Sequence, residues 1–186
     1  MNILAFAASN NPQSINQQLA LYTAALMPQA TVHTLALDDF DMPLYSEQRE
    51  KQLGTPEPVK RFLQLIAKAD GLIVSFAEHN GTFTAAFKNL YDWASRTERR
   101  IFQHKPALFL SAAPGPGGAK SVLEAAIKAA PYMGANLVST VSVGNFAQVF
   151  CSDYRQITKP ELFVELQGAA LALTRQINDA DKLIAC

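Results

Sequence analysis

The sequence predicts an α/β fold: five parallel strands in one sheet, with helices on both faces. Three observations predict it. Short apolar runs alternate with helical patterns five times along the 186 residues. Several of those runs are apolar at all but one position, as in strands buried on both faces. Each connection is long enough to carry a crossover helix, and only right-handed crossovers pack back onto the sheet.

The elements follow in order. Asn2–Ala8 is a continuous apolar run and reads as the first strand. In the segment after it, Ile15, Leu19, Tyr22 and Leu26 recur with helical spacing and form one apolar stripe. Thr31–Leu37 is β-branched and apolar, a second strand. Asp38–Thr55 has charges, Pro43, Gly54 and no period, and reads as a loop. Val59, Phe62, Leu63 and Ile66 mark a helix, and Gly71–Phe76 a third strand. Phe83, Phe87, Leu90 and Ala94 set the stripe of the next helix. Ala107–Ala113 is the fourth strand, about Gly118 to Met133 a helix, and Asn136–Val143 the fifth strand. An irregular stretch, Gly144 to Lys159, precedes a last helix with Leu162, Leu166, Ala169, Leu173 and Ile177 on one face. No linker or repeat interrupts the chain, so residues 1–186 read as one flavodoxin-like domain with strand order 2-1-3-4-5.

Composition narrows the function classes. The 16 basic and 16 acidic residues balance, and no basic stripe points to nucleic acid or an anionic membrane surface. The apolar N-terminal run is too short to span a bilayer and has no basic segment before it. Cys151 and Cys186 make no CxxC pair and no metal-ligand spacing; they read as reduced thiols of a cytoplasmic protein, with no metal site expected.

Doubly wound sheets bind ligands beyond the C-terminal ends of their strands, beside the first strand. Three loops lie there. The first, Ser9-Asn10-Asn11-Pro12-Gln13-Ser14-Ile15-Asn16, is dense in hydroxyls and amides and opens a helix. A helix N-terminus with free N–H groups suits an anion, although Ser14 or Asn11 would equally serve as a helix cap. No Lys or Arg precedes Arg49, so a phosphate here would rest on neutral donors and the helix dipole. The second loop, Glu78-His79-Asn80-Gly81-Thr82, carries an Asn-Gly turn. The third, Ser111-Ala112-Ala113-Pro114-Gly115-Pro116-Gly117-Gly118, has three glycines that let backbone approach a flat ring. It also reads as an ordinary strand-to-helix connection, and its spacing is not the dinucleotide fingerprint.

Together these loops resemble the NADPH-dependent FMN reductases, which include quinone, chromate and azo-dye reductases. The family pattern G-S-x-R-x-x-S-x-N is similar to Ala8–Asn16, and P-E-Y-N-G-S to Ala77–Thr82. The pattern x-K-N-x-x-D-W matches Phe87-Lys88-Asn89-Leu90-Tyr91-Asp92-Trp93, and S-x-x-P-G-x-x-G-G resembles Ser111–Gly118 with one residue fewer between glycines. The resemblance covers roughly residues 1–145. It implies that Ser9, Asn11, Ser14, Ile15 and Asn16 hold the phosphate of FMN. By the same resemblance, Glu78, His79, Asn80, Gly81 and Thr82 line the isoalloxazine, and Ser111, Pro114, Gly115, Gly117 and Gly118 pack near its other side. NADPH or NADH is the implied co-substrate, a small molecule the acceptor, and a homodimer or homotetramer the assembly. Chemistry would take place on the flavin, with His79 a secondary candidate for proton donation. Asn11 stands where the family has Arg, Ala77 where it has Pro, and His79 where it has Tyr. A non-enzymatic flavodoxin-type electron carrier, or a binding module without flavin, is the competing expectation.

Overall fold

The computed structural model describes residues 1–184. In chain order the elements are β1 (Asn2–Ala8), α1 (Ile15–Ala25), β2 (Thr31–Thr34), a 3-10 turn (Leu37–Phe40), α2 (Glu47–Leu53), α3 (Glu57–Lys68) and β3 (Gly71–Phe76). A small hairpin follows, β4 (Glu78–His79) and β5 (Thr82–Phe83), and then α4 (Ala85–Thr97), β6 (Pro106–Ala112), α5 (Lys120–Met133) and β7 (Asn136–Val143). The chain closes with α6 (Phe146–Val149), a second hairpin of β8 (Phe150–Cys151) and β9 (Gln156–Ile157), and α7 (Pro160–Ile184).

The main sheet has five strands in the order β2-β1-β3-β6-β7, the doubly wound order expected. All four pairings are parallel. Every residue of β3 and β6 is buried, so their side chains alternate between two cores. On one face Leu4, Phe6, Leu72, Val74, Phe76 and Phe109 pack against apolar residues of α3, α4 and α5. On the other, Ile3, Ala5, Ile73, Leu108 and Leu110 meet the stripes of α1 and α7. At the lower end of β3, Gly71 leaves room for Ile177 of α7: a Cβ there would lie 2.5 Å from the Ile177 Cδ1.

Three expectations are corrected. The second strand ends at Thr34, because Leu35 and Leu37 turn inward and are buried. The predicted loop from Asp38 to Thr55 contains the 3-10 turn and α2. None of the residues of α2 is buried, so it carries no apolar stripe; its start is marked only by Ser46, whose side chain accepts a hydrogen bond from the Arg49 N–H. The stretch after Gly144 folds into α6 and the β8–β9 hairpin. Cys151 is a free thiol, and Cys186 lies outside the described residues. No helix among the described residues is long and apolar enough to cross a membrane.

Candidate functional site

The three loops leave β1, β3 and β6 side by side at the C-terminal edge, because those strands are neighbours in the sheet. Hydrogen bonds stitch each loop to the next. Thr84 caps α4 by accepting from the Phe87 N–H at 3.2 Å, and its hydroxyl donates to the Ala8 carbonyl at 3.0 Å. Glu78 accepts from the Val122 N–H at 2.9 Å. That carboxylate supplies the cap that Ala119, the residue preceding α5, lacks. Asn16 reaches from α1 into the sheet. Its Oδ1 accepts from the Ala112 N–H at 2.8 Å and from the Ser75 hydroxyl at 2.7 Å, and its Nδ2 donates to the Ala112 carbonyl at 3.1 Å.

In the first loop most polar side chains shape the turn itself. Ser9 accepts from the Asn11 N–H, and Asn11 accepts from the Gln13 N–H. Ser14 is the N-cap, accepting from the Gln17 N–H. The N–H groups of Ile15 and Asn16, in the first turn of α1, have no intrahelical acceptor. That turn contains no acidic residue. At α5 a negative charge already sits on the first turn, the Glu78 carboxylate accepting from the Val122 N–H. Of the two helices, α1 is therefore the one whose positive end is open to an anion.

The second loop is a two-residue hairpin turn. Asn80 and Gly81 adopt φ of 52° and 79°, the left-handed conformation that such turns require. His79 and Thr82 pair across it and are exposed. The third loop is anchored from below. The hydroxyls of Ser111 and Ser142 both donate to the Gly118 carbonyl, at 2.7 and 2.9 Å. The Asn145 N–H donates to the Gly115 carbonyl at 2.9 Å. Gly118 has φ 63°, and a Cβ there would strike the Ser142 hydroxyl. Gly115, Gly117 and Gly81 face open space, so their bare backbone is accessible. Pro114 is exposed beside them.

The Lys-Asn and Asp-Trp positions of α4 do different work. Asn89 accepts from the Tyr45 N–H at 2.9 Å and donates to the Met42 carbonyl, while the Trp93 indole N–H donates to the Pro43 carbonyl at 2.8 Å. They hold the segment between the 3-10 turn and α2 against α4, where Tyr45 meets the Trp93 ring edge to face. Lys88 and Asp92 form an exposed ion pair. Glu50 joins this region to Arg96 at 3.0 Å and to the Tyr45 hydroxyl at 2.8 Å. The Tyr45 hydroxyl first, and the Arg96 guanidinium after it, hold the Glu50 carboxyl below its ordinary range. Sequence reasoning also passed over Gln17. Its side chain accepts from the Ala7 N–H at 2.7 Å and donates to Thr34, fixing β1 and β2 under the first loop.

The family model described as NADPH-dependent FMN reductase matches residues 1–148. The chain belongs to this family. Among curated relatives of this FMN reductase family, an NAD(P)H-dependent FMN reductase of Pseudomonas aeruginosa is 34% identical over 118 residues. A 2-hydroxy-1,4-benzoquinone reductase of a Burkholderia species is 32% identical over 119 residues. Each match spans 63% of this chain and 63% of the relative. Among solved structures, the flavoenzyme NAD(P)H:(acceptor) oxidoreductase of Paracoccus denitrificans superposes with a TM-score of 0.78 at 22% identity, covering 96% of this chain and 97% of that one. An apo NADH:FMN oxidoreductase gives a TM-score of 0.65 at 18% identity, over 92% and 87% of the two chains. At those identities the likeness is one of fold. The stretch matched to the FMN reductase family holds all three loops and ends before the β8–β9 hairpin and α7.

Proposed function

We propose that residues 1–186 form one FMN-binding domain acting as an NAD(P)H-dependent oxidoreductase, with a small quinone-like, azo, metal-oxyanion or free-flavin acceptor. The observation that carries this reading is the mutual stitching of three loops around an open helix N-terminus and bare glycine backbone. Bound FMN would supply the redox chemistry, accepting a hydride from the nicotinamide and returning two electrons to the acceptor.

The donor set fits that group. A phosphate matches the unpaired first-turn amides of α1, with Ser9, Asn11 and Ser14 shaping the loop that presents them. A flat ring matches the space over Gly81, Gly115 and Gly117, where no Cβ stands in the way. The chain's part in the reaction is to bind, orient and offer backbone N–H groups where charge develops. Of the two titratable side chains at the ring-edge loop, Glu78 accepts from the Val122 N–H and His79 is exposed on the hairpin.

The test is reconstitution with FMN followed by anaerobic mixing with NADPH and with NADH. Loss of the flavin's visible band supports a reductase. A yellow protein inert to both nicotinamides would make it an electron carrier, and a colourless one that rejects FMN a flavin-free module. Assembly as a dimer or dimer of dimers belongs to the same reading. It is supported by Phe83 and Tyr91, which stay partly exposed on and beside α4 while Phe87 and Trp93 are buried. A stable monomer by sedimentation at micromolar concentration would remove it.

A further inference from the structure

The first loop carries no cation of its own, and Asn11 stands where the family pattern has Arg. The fold brings one in from 141 residues away in sequence, counted from Ser14 to Arg155. Arg155 ends the turn of the β8–β9 hairpin. It lines a cleft of about 380 Å³ together with Pro12, Gln13 and Ser14 of the first loop and Gln17 of α1. The hairpin is held there by packing. Phe150 stacks on Phe146 at 4.8 Å and meets Tyr22 of α1 edge to face at 5.9 Å. The Thr158 N–H donates to the Val149 carbonyl at 2.8 Å and closes the base of the hairpin.

Electrostatics separates this side of the loop from the other. A cleft on the β2 side, lined by Ser9, Asn11 and Pro12, contains Asp38. A neighbouring one, lined by Asn10, contains Asp38 and Asp41. A phosphoryl group would be repelled on that side and attracted on the side of Arg155. Arg96 pairs with Glu50 and Arg61 lies over the Phe40 ring, but among the described residues Arg155 forms no ion pair. Asp153 belongs to the same exposed turn and does not line the cleft. Arg155 also adopts φ 49°, a conformation in which Gly or Asn would sit at less cost.

We infer that Arg155 is the cationic contact for the FMN phosphate, replacing from the β8–β9 hairpin the charge that the Ser9–Asn16 loop lacks. This rests on the FMN-binding reading above. The role is one of positioning and affinity: a guanidinium meets phosphate oxygens across the cleft that Ser14, the cap of α1, also lines.

The test is equilibrium titration of the flavin-free protein with FMN and with riboflavin, followed by flavin fluorescence. Wild type, Arg155→Ala and Arg155→Lys would each be titrated from ~0.01 M to ~1 M salt, over which the screening length falls from about 30 to about 3 Å. An exposed charge pair of this kind corresponds to about fivefold in affinity. FMN should bind the wild type less tightly as salt rises. Arg155→Ala should bind FMN about fivefold more weakly at low salt, with that salt dependence lost, and Arg155→Lys should restore part of both. Riboflavin affinity should be the same in all three, which also shows that the variants fold. Wild-type FMN binding that Arg155→Ala leaves unchanged, or equal loss of FMN and riboflavin, would overturn the inference. A wild type that binds neither flavin would instead overturn the FMN-binding reading itself.

Discussion

Replacing Asn16 by alanine tests whether this side chain serves the fold or the ligand. The resemblance assigns Asn16 to FMN, yet its amide is 3% exposed and its polar atoms face Ser75 and Ala112. Asn16→Ala would leave the Ala112 N–H, the Ala112 carbonyl and the Ser75 hydroxyl without their partner, all in a buried setting. Each lost bond is worth about 1 kcal/mol, and a buried group left unpaired costs up to about 3. The expected destabilisation is therefore roughly 3–5 kcal/mol, a large share of the ~5–15 kcal/mol that domains of this kind possess. Urea unfolding followed by fluorescence of Trp93, the single tryptophan and 1% exposed, would measure it. Ser75→Ala alone should cost about 1 kcal/mol, since Asn16 keeps its bonds to Ala112. The double variant should lose less than the two singles together, because both remove the same Ser75–Asn16 bond. Asn16→Asp adds a check with a definite sign. A buried carboxyl facing the Ala112 carbonyl must be protonated to donate to it, so this variant should gain stability as pH falls. A loss under about 1 kcal/mol for Asn16→Ala, with no coupling to Ser75, would refute the clamp.

Other outcomes follow from neighbouring contacts. Glu78→Ala should destabilise by about 1–2 kcal/mol in urea, because it uncaps α5 at Val122; Glu78→Gln, which keeps an acceptor, should cost less. Gly118→Ala should cost more than about 1 kcal/mol, as it meets both a positive φ and the Ser142 hydroxyl. Gly115→Ala and Gly117→Ala, which open onto free space, should barely change stability yet weaken FMN binding measured by titration. Glu50, whose carboxyl the Tyr45 hydroxyl and Arg96 hold below its ordinary value of 4.5, contributes stability that is complete above pH 4.5 and is lost as pH falls through the lowered value. Thermal melts of Tyr45→Phe across that range should show a flatter acid limb than wild type.

What could be read in advance was whatever repeats over short distances. The mostly apolar runs of β1, β3 and β6 and the stripes of α1, α3 and α7 follow from burial on two faces and on one. The Asn80-Gly81 turn is a local matter of positive φ, and it formed where expected. Elements that are exposed or very short escaped notice: α2 has no apolar stripe, and the strands of the β8–β9 hairpin are two residues each. The β2 boundary misled because Leu35 and Leu37 continue the apolar pattern into the core beyond the last paired residue. Within the site, the loops were legible by position, but the partners of their side chains were not. Asn16 bonds to a residue 96 positions away and Glu78 to one 44 away. Such pairs leave no periodic trace, and a motif that matches a ligand loop looks the same whether its amide faces a phosphate or a neighbouring strand. Arg155 was hidden for the same reason.

The seating of Ile177 against Gly71 has a consequence for how the chain is made. One face of the sheet is covered by α1 and α7, and α7 supplies Leu166, Ala169, Ala170, Leu173 and Ile177 to it. Those residues are synthesised after the 148 residues that match the family. Until they leave the ribosome, Ile73, Leu108 and Leu110 have only part of their cover, although the opposite core, with α3, α4 and α5, is already complete in sequence. The nascent protein therefore passes through a half-closed stage with an apolar sheet face open to water, the kind of surface that chaperones bind. Emergence of α7 ends that stage, so a chain stopped short of Leu166 should be captured by chaperones or aggregate even though every loop of the candidate site has been made.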